Sequence, residues 1–169
     1  MRRTYLLLFF CLILSLASCN KANDNIVTYT ADEIYLNCVE YGYISGFPKK
    51  LLIFESEEQL EYALKEYKYF DFLAELDLIR EKYTLGEYVY LIQYMETDYD
   101  SKMVCKGLDI DREEMRIHLE HKDKNPRKEG PTAIKAYVTY AVLPEEYLSN
   151  YDFSNQQGVL YLGKILQEQ

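Results

Sequence analysis

Residues 88–95 read Tyr-Val-Tyr-Leu-Ile-Gln-Tyr-Met: aromatic and aliphatic throughout, with a single amide. Such a run is a strand, and because both of its alternating faces are apolar it belongs in the middle of a sheet covered on each side. Upstream, Ser56-Glu57-Glu58-Gln59 forms a capping box, with Leu60, Ala63, Leu64 and Tyr67 following at helical spacing and Glu57, Glu58, Glu61, Lys65 and Glu66 on the other face. Glu61 and Lys65 stand four apart in the favourable order. Phe72, Leu76, Ile79 and Tyr83 repeat the helical spacing and predict a second helix over 71–82, while Leu78, off its stripe, leaves room for a strand there.

Before these helices, residues 29–45 mix β-branched and aromatic side chains, with Ile34, Leu36 and Cys38 on one side of an alternation. A turn through Gly46-Phe47-Pro48 leads to a second strand over 50–54. After the central run, residues 102–110 and 115–121 read as a hairpin turning at 111–114, its second strand alternating Met115, Ile117 and Leu119 with Arg116, His118 and Glu120. Residues 122–131 are loop-like, charged and punctuated by two prolines and a glycine. A long strand over 132–143 stops at Pro144, one helical turn fits 144–148, and 159–166 reads as a last strand. The expectation is an α+β fold: a mostly antiparallel sheet of six to eight strands, with one or two helices inserted after the second strand.

The N-terminus has a different character. Arg2 and Arg3 precede an apolar run from Tyr5 to Leu14, closed by Leu16-Ala17-Ser18-Cys19. That run falls short of the ~20 residues of a spanning helix and has the three-part build of a secretion signal. The Leu-Ala-Ser-Cys tetrapeptide resembles the lipobox of bacterial lipoproteins. The resemblance implies cleavage before Cys19 and a diacylglyceryl thioether on its thiol, with fatty chains of the palmitate class. Each buried methylene contributes roughly 0.8 kcal/mol, so two or more chains anchor stably. On this reading 1–18 is a signal peptide, 19–28 a lipidated and flexible tether, and 29–169 one domain held outside a bacterial membrane.

The order of strand, Ser56-led helix, the Val89-Tyr90-Leu91-Ile92 strand and late strands ending at Pro144 also looks like small uncharacterised bacterial lipoproteins. More faintly, it is similar to the C-terminal domain of accessory subunits that stabilise secreted protease complexes. That resemblance implies a binding fold without catalysis.

Charge narrows the partners. The chain carries a net charge of −9, and loss of a leader holding two arginines and no acid would take it to −11. So acidic a surface repels phosphate backbones and anionic headgroups, which argues against nucleic acid as a partner and leaves membrane contact to the lipid. Of four cysteines, Cys11 would leave with the leader and Cys19 would carry lipid. Cys38 and Cys105 remain, in strand-like segments. In an exported chain they are compatible with a disulfide, and equally with two buried thiols packing as small hydrophobes.

No catalytic or cofactor motif stands out. His118 and His121, the only histidines, point to opposite faces of one strand and cannot converge on a metal from it. Asp109, Asp111, Glu113 and Glu120 fit positions of a calcium loop, but Glu114 stands where that loop needs glycine. Ser45 and Ser154 lack the nucleophile elbow, and the seven glycines form no phosphate-cradling loop. The chain's unusual feature is eighteen tyrosines with no tryptophan. Tyr88, Tyr90 and Tyr94 share a strand face, and Tyr137 and Tyr140 lie in another strand. Such rows either pack across strands or, if exposed, offer a surface for a glycan or a peptide. The expected function is a lipid-anchored envelope binding or scaffolding module, with a protein or other envelope partner and no cofactor. The alternative is a glycan-binding or glycan-processing surface protein using the tyrosine-rich faces.

Overall fold

The computed structural model describes residues 26–41, 44–68, 73–111, 114–125, 127–128, 134–149, 151–153 and 159–161. Its strands are β1 (Val27–Tyr29), β2 (Tyr35–Tyr41), β3 (Leu51–Phe54), β4 (Tyr88–Thr97), β5 (Tyr99–Asp100), β6 (Met103–Ile110), β7 (Met115–His121), β8 (Arg127–Lys128), β9 (Lys135–Pro144) and β10 (Val159–Tyr161). Helices α1 (Glu57–Glu66) and α2 (Ala74–Lys82) lie between β3 and β4.

The 88–95 run forms most of β4, third of five strands in the order β10-β3-β4-β9-β2. All pairings in this sheet are antiparallel except β10 with β3. Both faces of β4 are covered, as its composition requires. On one side Tyr90, Ile92 and Tyr94 pack with Leu60, Ala63, Leu76 and Ile79 from the two helices. On the other, Val89 and Leu91 meet Leu108, Ile110, Met115 and Ile117 from a second sheet of order β1-β6-β7. The result is three layers, helices over five strands over three strands. Each fully buried aliphatic or aromatic side chain in these two seams contributes roughly 1.5–3 kcal/mol over its exposed state.

The fold is α+β and mostly antiparallel, with the helices after the third strand because β1 precedes the strand read first. β1 takes in Val27 and Thr28, at the end of the stretch read as tether. Their polar neighbours hide a short edge strand that pairs with β6, with Thr28 Oγ1 donating to Asp109 Oδ1 at 2.7 Å. Inside the segment read as loop, 122–131, β8 forms a two-residue ladder with β5, which lies before that segment. α1 starts as its capping box predicts. The Ser56 hydroxyl accepts the Gln59 N–H at 3.4 Å, while Gln59 Oε1 reaches one residue further back, accepting the Glu55 N–H at 2.7 Å. Glu61 meets Arg80 of α2 at 3.9 Å, and Arg80 also bridges to Glu57 at 3.1 Å. Leu78 is 50% exposed, as its place off the stripe demands. The β6–β7 hairpin turns where expected, with Asp111 Oδ1 accepting the Glu114 N–H at 2.5 Å. Pro144 ends β9 and leads into a 3-10 turn, Glu145–Tyr147. Cys11, Cys19, Phe72, Glu113, Ser154 and the tail of the predicted last strand lie outside the described residues.

Candidate binding cleft and paired thiols

The tyrosines separate by position. Tyr90, Tyr94 and Tyr137 are 1%, 4% and 0% exposed, so they form no ligand surface and serve as core. The reason is the second covering layer: β4 and β9 are interior strands, and along their middles, Val89–Ile92 and Ala136–Leu143, both faces are buried. Tyr137 and Tyr140 point to opposite faces of β9. Tyr137 hydrogen-bonds to the Ser101 carbonyl and to Glu40, each at 3.2 Å, whereas Tyr140 packs under the helices beside Tyr41, 3.3 Å between hydroxyls.

Tyr88, at the start of β4, is half-buried and opens onto a cleft of about 450 Å³. Tyr35 from β2, Tyr83 from the end of α2, Pro144 and the acidic pair Asp32 and Glu33 line it with Tyr88. The local chain explains the grouping. α2 ends with the Tyr83 N–H bonded to the Ile79 carbonyl at 2.9 Å, and the chain then turns through Gly86, whose φ of +95° suits glycine. This folds Tyr88 back on Tyr83, ring centroids 5.1 Å apart at 68°, and Tyr35 closes on Tyr83 at 5.7 Å. Buried Tyr90 supports the wall from below by donating its hydroxyl to the Tyr83 carbonyl.

Hydrogen bonds hold Tyr35 in place. Its hydroxyl donates to Glu75 of α2, and Asn37 Nδ2 donates to the same carboxylate oxygen at 2.6 Å. Burial, then the bond to Glu75, pushes the Tyr35 phenol up to about 12. Glu33 is turned back on its own loop, accepting from the Thr30 N–H at 2.8 Å and the Thr30 hydroxyl at 3.0 Å. The cleft therefore offers ring faces and edges and carboxylates, with no cationic residue among the described residues that line it. Its volume falls in the range of small-molecule sites. Such a lining suits a neutral polyhydroxylated or cationic group: rings supply apolar contact or cation–π attraction, and acids accept hydrogen bonds.

No family model, curated protein or solved structure matches the chain.

The thiols form a second site. Cys38 lies on the β2 face turned toward the three-stranded sheet, with Ile34 and Leu36, as its alternation predicts. Cys105 lies on β6, next to a bulge that shifts the β6–β7 register between Cys105 and Gly107. The two side chains are within hydrogen-bonding reach of each other, and Cys105 Sγ donates to the Asn37 carbonyl at 3.0 Å. Both are free and half-buried on a cleft of about 260 Å³ that Lys102 also lines. The hydrogen bond from Cys105 draws the Cys38 thiol below its ordinary value against the effect of burial, with help from the Lys102 charge. Cys105 is pushed up, chiefly by Cys38 and then by burial.

The remaining candidates disperse. His118 Nε2 sits 3.4 Å from Asp109 Oδ2 on the solvent face, and His121 packs on the Tyr99 ring at 4.9 Å. Of the calcium-loop acids, Asp109 serves Thr28 and His118, Asp111 caps the hairpin and Glu120 meets Lys106 at 3.7 Å. Among the described residues no three His, Cys, Asp or Glu side chains are grouped for a metal. Nor, among them, is any helix long and apolar enough to cross a membrane. Sequence reading passed over Tyr35 and Tyr83 as site residues. The available signal was that both flank the ends of elements, where side chains leave the packed seams.

Proposed function

We propose that the chain is a lipid-anchored, extracytoplasmic binding module of a bacterial envelope, fastened through Cys19 and holding its partner without chemistry. The lipobox-like leader supports the anchoring and location. The binding role rests on one observation, the cleft walled by Tyr35, Tyr83 and Tyr88 under an acidic rim. A pull-down from native membranes tests it. The wild-type chain should recover a reproducible partner that Tyr88→Ala loses while still giving a cooperative unfolding transition above the assay temperature. Equal recovery by both chains would remove the cleft from the reading. Mass spectrometry of the mature N-terminus tests the anchor, and an unmodified Cys19 would sink it.

A glycan as the ligand is the second reading, favoured by the roughly perpendicular packing of Tyr88 on Tyr83. Ring faces at such a corner suit the apolar side of a sugar, with the rim acids accepting its hydroxyls. A glycan array with wild type and Tyr88→Ala separates the two readings: a flat response leaves a protein or peptide partner.

A further inference from the structure

We propose that Cys38 and Cys105 are a redox-active dithiol that closes reversibly into a disulfide between the two sheets, with Cys38 as the sulfur that meets the oxidant. Three features carry this. The pair brings together strands from different sheets, β2 and β6, 67 positions apart in the chain, with both side chains lining one cleft within hydrogen-bonding reach of each other. The sulfurs border a cleft, so an incoming disulfide has a path to them that a sealed core would deny. Their surroundings are unequal: Cys38 has Lys102 and the Cys105 thiol to support a thiolate, with Glu40 opposing, whereas Cys105 gives its proton to the Asn37 carbonyl or to Cys38.

The exchange balances with a disulfide as co-reactant, either small or borne by a protein. The Cys38 thiolate attacks one sulfur of that disulfide, whose S–S bond breaks, and the departing thiolate takes a proton from solvent. Cys38 is then a mixed disulfide and no longer an anion, so the main cause holding the Cys105 proton is gone. Cys105 loses its proton to solvent and attacks Cys38, expelling the second thiolate. Two protein thiols are oxidised and one disulfide is reduced to two thiols. The bridge ties β2, an edge strand of the larger sheet, to β6, the middle strand of the smaller one.

The test uses the full chain equilibrated in glutathione buffers from reducing to oxidising, quenched with acid, alkylated and peptide-mapped. A Cys38–Cys105 cross-linked peptide should accumulate as glutathione disulfide rises and vanish on reduction, without loss of the folded circular dichroism spectrum. In the reduced chain Cys38 should alkylate at least about tenfold faster than Cys105. Cys105→Ser should trap glutathione on Cys38, while Cys38→Ser leaves Cys105 largely unmodified. The proposal is overturned if no such peptide forms across the series or if both thiols alkylate at the same rate. Should a serine variant fail to fold, cross-linking and competitive alkylation of the wild type still decide it.

Discussion

Leu91 and Ile92 are neighbours in β4 that face opposite ways, Leu91 toward the three-stranded sheet and Ile92 toward the helices, at 0% and 1% exposure. If both faces of the central sheet are buried, truncating either residue must be costly. Leu91→Ala and Ile92→Ala each remove buried methyl groups from a closed seam and leave a cavity, at a cost of about 2–5 kcal/mol. For a chain of this size about 3 kcal/mol lowers the melting temperature by roughly 6–12 °C. Leu78→Ala, at an exposed position of α2, is the control and should stay within about 0.5 kcal/mol of wild type. Urea denaturation followed by far-ultraviolet circular dichroism, with tyrosine fluorescence as second probe, reads all of these in a chain that has no tryptophan. A cost below about 0.5 kcal/mol for one of the two β4 variants would mean that one face is open, and the three-layer account would fail.

Ser56→Ala removes the N-cap acceptor of α1 and should cost about 0.5–1 kcal/mol, at the low end because the bond is long at 3.4 Å, as read by the same denaturation. Tyr35 and Tyr90 are raised from 10.0 to about 12, mainly by burial, so the fold favours their neutral forms. Their contribution to stability is complete below pH about 10 and is lost as pH rises through about 12. Absorbance of ionised tyrosine should therefore show a late fraction that titrates normally once urea is added, and a single transition near 10 in the folded chain would refute this. In Gly107→Ala the new Cβ would stand 3.0 Å from the Tyr29 carbonyl oxygen, so β1 must shift. Hydrogen exchange should speed up in Val27–Tyr29 and stay unchanged in β4; protection unaltered in β1 would show that the approach is looser than described.

Much of this architecture was legible where one residue pattern had one reading. The two-faced apolar run of β4, the capping box of α1 and the alternation of β7 each corresponded to a single arrangement. Legibility failed where the deciding partner was remote. β1 has three residues and a polar approach, so only its pairing with β6 makes it a strand. The tyrosine rows were equally suited to core or surface, because tyrosine fits both, and the layer that buries Tyr90 and Tyr94 comes from helices whose docking no local pattern encodes. The cleft draws on β2, α2 and β4, and Tyr35 and Tyr83 meet only in three dimensions. Cys38 and Cys105 could be named as a pair by elimination, but their inequality depends on Lys102, Asn37 and Glu40 around them.

The order of strands in the larger sheet sets the tempo of its assembly. Among the described residues β2 pairs with β9 alone and β3 takes β10 as its outer neighbour, so both closures join segments about a hundred residues apart, a separation that slows folding. Until β9 is in place, the β3–β4 pair carries an unpaired edge along an apolar strand, the kind of surface on which chains stick to one another. Truncation before Lys135 therefore removes the strand that completes β4, and what remains should aggregate instead of folding to a smaller version of itself.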